Sequence, residues 1–248
     1  EPSLTSAQRI ELETSKAQLS DPSRTAKTKR EAAILLLTRP YPQATAALRG
    51  FLSDETNRPA QIAVAEAVAE SGQTHKDFVK PLLAMLTGAE PSLRPPAASA
   101  LAAYKDPGVL DALIKLVAND KTPHGARLAI IAAMQRILDK KAIDALVRLL
   151  DDSEETIRNA ACDALTKLTS IRAFGRDRRR WRSWWDRNKQ KPRSDWFADL
   201  VDSLARANLE LERENAELRR RLAEAMEALY AAAAPVRKDA LLAEMLKD

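Results

Sequence analysis

The sequence holds one cysteine, two histidines and six glycines, and aromatic residues make up 4% of its 248 positions. A lone cysteine cannot close an internal disulfide, and two histidines far apart in sequence cannot build a zinc cage by themselves. Sandwiches and barrels draw on β-branched and aromatic residues and on turn glycines, whereas here alanine, leucine and charged residues dominate. The fold class is therefore all-α. No uninterrupted apolar run approaches the roughly 20 residues that a membrane-spanning helix needs. The chain begins at Glu1 rather than methionine, as a chain with its leader or tag removed would.

The same scarcity argues against catalysis. No glycine follows Gly175, and no glycine loop of the phosphate-cradling kind occurs. His75 and His124 fall where turns between helices are expected, with no nucleophile at readable spacing. Cys162 sits within an apolar helical stretch and reads as a small core residue. The acidic pairs Asp54/Glu55, Asp151/Asp152 and Glu154/Glu155 lie at helix starts, where capping and the helix dipole account for them. No catalytic, cofactor-binding or metal-ligating residue is assigned, and a non-enzymatic protein is expected.

Charge divides the chain. Residues 172–193 carry ten Arg/Lys against Asp177 and Asp186, a net of +8, whereas 1–171 are close to neutral and 194–248 are acidic. All four tryptophans, Trp181, Trp184, Trp185 and Trp196, fall in or just after the basic joint.

An internal repeat fills the neutral body. A polar residue followed six and seven positions later by a small-then-apolar pair recurs at Lys27, Gln61, Arg94, Arg127 and Arg158, in steps of 31 to 34 residues. Between these units lie second apolar helices around Leu48–Leu52, Val79–Leu86, Val109–Val117 and Ile143–Leu150. Breakers occur at Pro40 and Pro42, Gly72, Gly88 with Pro91, Pro107 with Gly108, and Pro123 with Gly125. Asp152 and Glu155 have capping-box spacing for the helix that holds Arg158. Such a period marks an array of helix pairs.

These residues resemble the HEAT family of α-solenoids, over roughly Leu4 to Leu168 and most clearly in Asp151–Leu168, with its Asp, then Arg, then Ala-Leu pattern. The resemblance implies a right-handed α-solenoid of about five helix-pair repeats, in which Arg94, Arg127 and Arg158 bond acidic groups near a neighbouring helix end. Two departures stand out: Lys27 and Gln61 occupy positions where arginine is usual, and Pro95–Pro96 make the second helix of the third repeat start late or bend.

In the joint, Trp181, Trp184 and Trp185 share one helix face behind a potential Asp177 N-cap. The segment is similar to a Trp-rich helix that follows the last repeat in many bacterial HEAT-repeat proteins, and the resemblance implies a cap over the apolar end of the solenoid. The alternative assigns Arg178, Arg179, Arg180, Arg182 and Arg187 to an acidic partner, nucleic acid or another polyanion.

The tail offers about forty residues without glycine or proline before Pro235. Placing Val201, Asn208, Asn215, Leu222 and Leu229 at heptad position a puts Leu204, Leu211, Leu218 and Ala225 at d. Asparagine at a favours a parallel two-stranded register, and Glu214 at g faces Arg219 at the next e of a second copy. A helix folded back on the solenoid or on the Trp helix is the alternative, for which Trp196, Phe197 and the off-seam Leu209 speak. Leu241, Leu242, Met245 and Leu246 form a short terminal apolar stripe.

The expected organisation is a repeat solenoid over 1–171, the basic Trp joint over 172–193, a long helix and parallel dimeric coiled coil over 194–234, and a short amphipathic helix over 235–248. The expected function is a non-enzymatic adaptor for an unidentified protein partner, dimerised through its tail, with no cofactor. The compartment stays open between bacterial cytoplasm and, if a leader has been removed, periplasm or envelope.

Overall fold

A computed structural model describes residues 4–232. The stripe at Leu241–Leu246 and the final expected helix over 235–248 lie outside the described residues. Two compact units are present: the chain through Leu168 together with Ala173–Lys191, and Thr169–Arg172 together with the chain from Pro192.

The larger unit is five antiparallel helix pairs: α1 (Ser6–Ser20) with α2 (Ala26–Leu37), α3 (Pro42–Ser53) with α4 (Arg58–Ser71), α5 (Lys76–Thr87) with α6 (Arg94–Ala102), α7 (Pro107–Val117) with α8 (His124–Met134), and α9 (Lys140–Arg148) with α10 (Glu155–Thr169). The second helices α2, α4, α6 and α8 pack in sequence as one layer, and α1, α3 and α5 line up as another. The central seam is built from small residues: Ala60, Ala63, Ala67, Ala97, Ala98 and Ala100 are all buried. Short side chains let helix axes approach closely, so a core poor in aromatics is still closely packed.

Each helix boundary has a local cause. Thr5, Thr25, Asn57 and Asp106 cap their helices through side-chain acceptors. Pro42, Pro59 and Pro107 sit in first turns, where no N–H is required. Gly72 ends α4 in the left-handed conformation, φ +66°. Pro95 and Pro96 fall in the first turn of α6, which starts at Arg94 after a 3₁₀ turn at Pro91–Leu93. The two prolines thus forfeit no ladder bond and only shorten the helix to nine residues.

A side chain at or near the fourth position of each second helix reaches back, in four pairs to the end of its own first helix and in the fifth to the turn that precedes α10. Lys29 Nζ donates to the carbonyls of Leu19 (2.6 Å) and Asp21 (2.7 Å). Gln61 Nε2 donates to Leu52 O (3.0 Å), and Arg127 Nε to Val117 O (2.9 Å). Arg158 Nη1 donates to Asp152 O and Ser153 O (both 2.8 Å). Arg94, fourth counting from the 3₁₀ turn, donates from Nη2 to Gly88 O at 3.1 Å. The last carbonyls of a helix have no intrahelical donor, and a cation there also meets the negative end of the dipole. Lys29, Gln61 and Arg127 are buried to 1%, 3% and 1% exposure. Burial pushes the Lys29 ammonium below its ordinary value, with the Asp21 charge acting in the opposite sense.

This geometry corrects four expectations. In the first pair the position belongs to Lys29; Lys27 lies two residues earlier, exposed, 3.9 Å from Glu31. Only Arg127 of the three arginines also binds carboxylates, those of Asp152 and Glu154 in the next pair. Asp152 caps no helix: Glu154 N and the Arg127 guanidinium both donate to its carboxylate, and α10 starts beyond it at Glu155. Gly125, read as a turn breaker, lies in the first turn of α8 under the Arg94 guanidinium, where an added Cβ would come within 2.6 Å of Nη1.

Replacing Arg127 by Met leaves Asp152 buried with its charge unpaired and is expected to cost about 3–5 kcal/mol in urea unfolding; adding Asp152→Leu should recover part of that loss. Full additivity of the two would show that the pair is not coupled. Tyr104 OH donates to His75 O at 2.8 Å, and burial raises its pKa from 10.0 to about 12. Because the folded state holds this proton more tightly, the contribution is intact below pH 10 and is lost as pH rises through about 12. Tyr104→Phe should cost about 1 kcal/mol at neutral pH, and its deficit against wild type should shrink above pH 10 in thermal melts.

Candidate functional site

The basic joint folds as α11 (Arg178–Asn188), and Asp177 caps it by accepting from Arg179 N and Arg180 N. α11 packs against α9 within the larger unit. Trp181 and Trp185 are buried. Trp181 Nε1 donates to Gly175 O (2.9 Å) and Trp185 Nε1 to the Asp144 carboxylate on α9 (2.9 Å), so neither indole N–H is left dry. Phe174 meets Trp181 edge-on at 5.0 Å. Trp184 differs from the expectation of three buried rings: it is half-exposed, at the border of the face, edge-on to Trp181 at 5.9 Å. Lys140, at the start of α9, donates to the carbonyls of Lys189 (3.1 Å) and Lys191 (2.5 Å) at the far end of α11. Lys140 and Asp144 escaped the sequence reading because their partners lie some forty or more residues away; one turn apart on α9, they hold α11 at its end and at its middle.

Four of the five candidate arginines have partners inside the chain. Arg178 Nη1 donates to Leu150 O (3.3 Å), Arg180 Nη1 to Ala173 O (3.2 Å) and Arg187 Nη1 to Ser183 Oγ (2.9 Å), while Arg182 pairs with Asp151. Arg179 is exposed and has no side-chain partner among the described residues. Arg176, Arg178, Arg179 and Arg182 rim a recess of about 490 Å³ with Asp151 and Asp177.

The smaller unit is dominated by α12 (Arg193–Ala232), one unbroken helix of 40 residues. Its seam candidates face solvent: Val201 is 64% exposed and Leu218 63%, and Leu204, Leu211, Leu222 and Leu229 are exposed with them. Asn208 and Asn215 are exposed on the same face, Asn215 Nδ2 donating to Leu211 O at 2.9 Å. A second stripe, Trp196, Leu200 and Ala207, is buried. At 100° per residue, Leu204 and Leu211 lie one turn on from Leu200 and Ala207, so the buried stripe borders the exposed seam along one side. Sequence reasoning missed this stripe because its four- and seven-residue steps merge into the heptad. Glu214, expected to face a second copy, lies 3.5 Å from Arg172 of its own chain.

The titratable residues considered for chemistry serve the scaffold. His75 caps α5, its Nδ1 accepting from Asp77 N, and His124 Nδ1 lies 2.6 Å from the Glu154 carboxylate. Cys162 is buried, which raises its thiol pKa. Among the described residues no group of His, Cys, Asp or Glu side chains gathers as a metal site, and no helix is long and apolar enough to cross a membrane.

Residues 79–166, from the third pair to the fifth, match the family of HEAT repeats. No curated protein matches the chain in sequence. Among solved structures, an engineered protein from a structural-genomics consortium is similar at 21% identity, TM-score 0.39, over 80% of this chain and 96% of that one. A second similar chain, at 16% identity and TM-score 0.38, comes from a structure whose title reports that Kap95p binding induces the switch loops of RanGDP to adopt the GTP-bound conformation. That likeness covers 91% of this chain and 27% of the other. Residues 79–166 thus match HEAT repeats by sequence, and the successive helix pairs of α1–α10 give the larger unit an α-solenoid fold.

Proposed function

We propose that the chain is a protein-binding scaffold whose solenoid takes another protein and whose α12 pairs in parallel with a second copy along Val201, Leu204, Asn208, Leu211, Asn215, Leu218, Leu222 and Leu229. HEAT repeats commonly mediate protein–protein contacts, which supports the first half. The exposed leucine seam on a 40-residue helix carries the second. An isolated helix with so much apolar surface in water gains by covering it, and asparagine within the seam is tolerated where it can face its symmetry mate. Two copies joined in this way present two binding surfaces, and a partner with two sites gains avidity.

On the same reading α11 is the terminal cap, with its buried indoles against α9. The polyanion reading has less support, because Arg178, Arg180, Arg182 and Arg187 already have partners.

Sedimentation at micromolar concentration should show a dimer, and Leu211→Glu with Leu218→Glu should give a monomer whose helical content is kept. A wild-type chain that sediments as a monomer overturns the dimer. For the cap, Trp181→Ala should cost about 3–5 kcal/mol and Trp184→Ala distinctly less; equal costs would argue that the two rings do not differ in burial.

A further inference from the structure

Gln61 is the one departure from a cation among the five fourth-position residues, and the consequence is local. Its Nε2 is committed to Leu52 O, which sets the orientation of the amide and leaves Oε1 buried without a hydrogen-bond partner. Where Arg127 reaches on from its own pair to the acids of the next, Gln61 is too short, and the exposed Arg58, one turn earlier, pairs with Glu90 instead at 3.0 Å. Gln61 lines a groove of about 1130 Å³ between the second and third helix pairs. Leu52, Pro81, Ala84, Met85 and Leu93 supply apolar lining.

The charges around the groove are unequal once internal partners are removed. Arg58 and Glu90 neutralise each other, and Asp77 sits in the first turn of α5 against the dipole. Arg49, Lys76 and Lys80 are exposed without an ion pair among the described residues, with Lys76 and Lys80 one turn apart on α5. Glu55 and Asp77 oppose them, which leaves the rim with one cation in excess.

We infer that this groove docks an extended acidic segment of another protein, with an apolar side chain of that segment on the Pro81–Ala84–Met85 lining and its carboxylates against Arg49, Lys76 and Lys80. This rests on the protein-binding reading above and deepens it. The unpaired Gln61 acceptor calls for a donor, which an extended segment carries in its backbone N–H groups. The cationic rim selects against basic segments, because like charges brought together there are repelled.

Random linear peptides displayed on phage, panned on the full chain, supply the probe; the winning sequence is then synthesised with a fluorescent label and titrated by anisotropy. The expected winner carries Asp or Glu on both sides of a large apolar residue. Ala84→Trp, which fills the groove at an exposed helix position, and Lys76→Glu with Lys80→Glu should each weaken it at least about tenfold. The matched reversal Lys115→Glu with Lys121→Glu, remote in sequence from the groove residues, should leave binding unchanged, separating local contact from net charge. Winners that lack acidic residues, a winner indifferent to Ala84→Trp, or no enrichment at all overturns the groove as the docking site. Sedimentation tests the dimer separately, so either reading can fail alone.

Discussion

An α-helix ends in carbonyls that have no donor within the helix, and an array of antiparallel pairs must supply one at every first-helix end. Here Lys29, Gln61, Arg94 and Arg127 do so from the start of the second helix, and Arg158 makes the equivalent bond to the turn just before its own helix. The bond fixes where the second helix starts relative to the end of the first. It thereby sets which residues face the seam, three, four and seven places on: Val64, Ala65 and Val68 after Gln61, Ile130, Ile131 and Met134 after Arg127, all buried. The apolar stacking that carries most of the stability follows from that polar registration.

Much of this was legible in sequence because the array repeats it. Period, helix pairing and the caps at Pro42, Gly72 and Pro107 all follow from local residue chemistry. The first pair was read two residues early because Leu35 replaces the small residue found at the matching place in later repeats, so Lys27 with Ala33 fitted the pattern better than Lys29. The true position is visible only from the Leu19 carbonyl. Asp152 misled for a similar reason: its spacing to Glu155 suits a capping box, yet a guanidinium 25 residues away takes the carboxylate. Short-range patterns list what a side chain can do, and tertiary neighbours choose among the options.

The composition also acquires a physical sense. Alanine replaces aromatic bulk along the α2–α4–α6 seam, and the indoles gather on α11, where Trp181 and Trp185 fill space beside α9. The arginines around them are largely absorbed by Leu150 O, Ala173 O, Ser183 and Asp151, so much of the +8 joint closes a helix end. The seam of α12 shows the opposite economy: its leucines are exposed among the described residues.

The fourth-position bond also grades the array in stiffness. A buried charged tie runs from Arg127 to Asp152, bolting the fourth pair to the fifth, whereas the joint after Gln61 relies on the packing of α4 against α6, with the solvated Arg58–Glu90 pair beside it. In a linear array each unit leans on its neighbours alone, so bending and local opening collect at the weakest joint. Cutting the tie between Arg127 and Asp152 would therefore loosen the joint between the fourth and fifth pairs first, while the second and third pairs stay packed through α4 and α6.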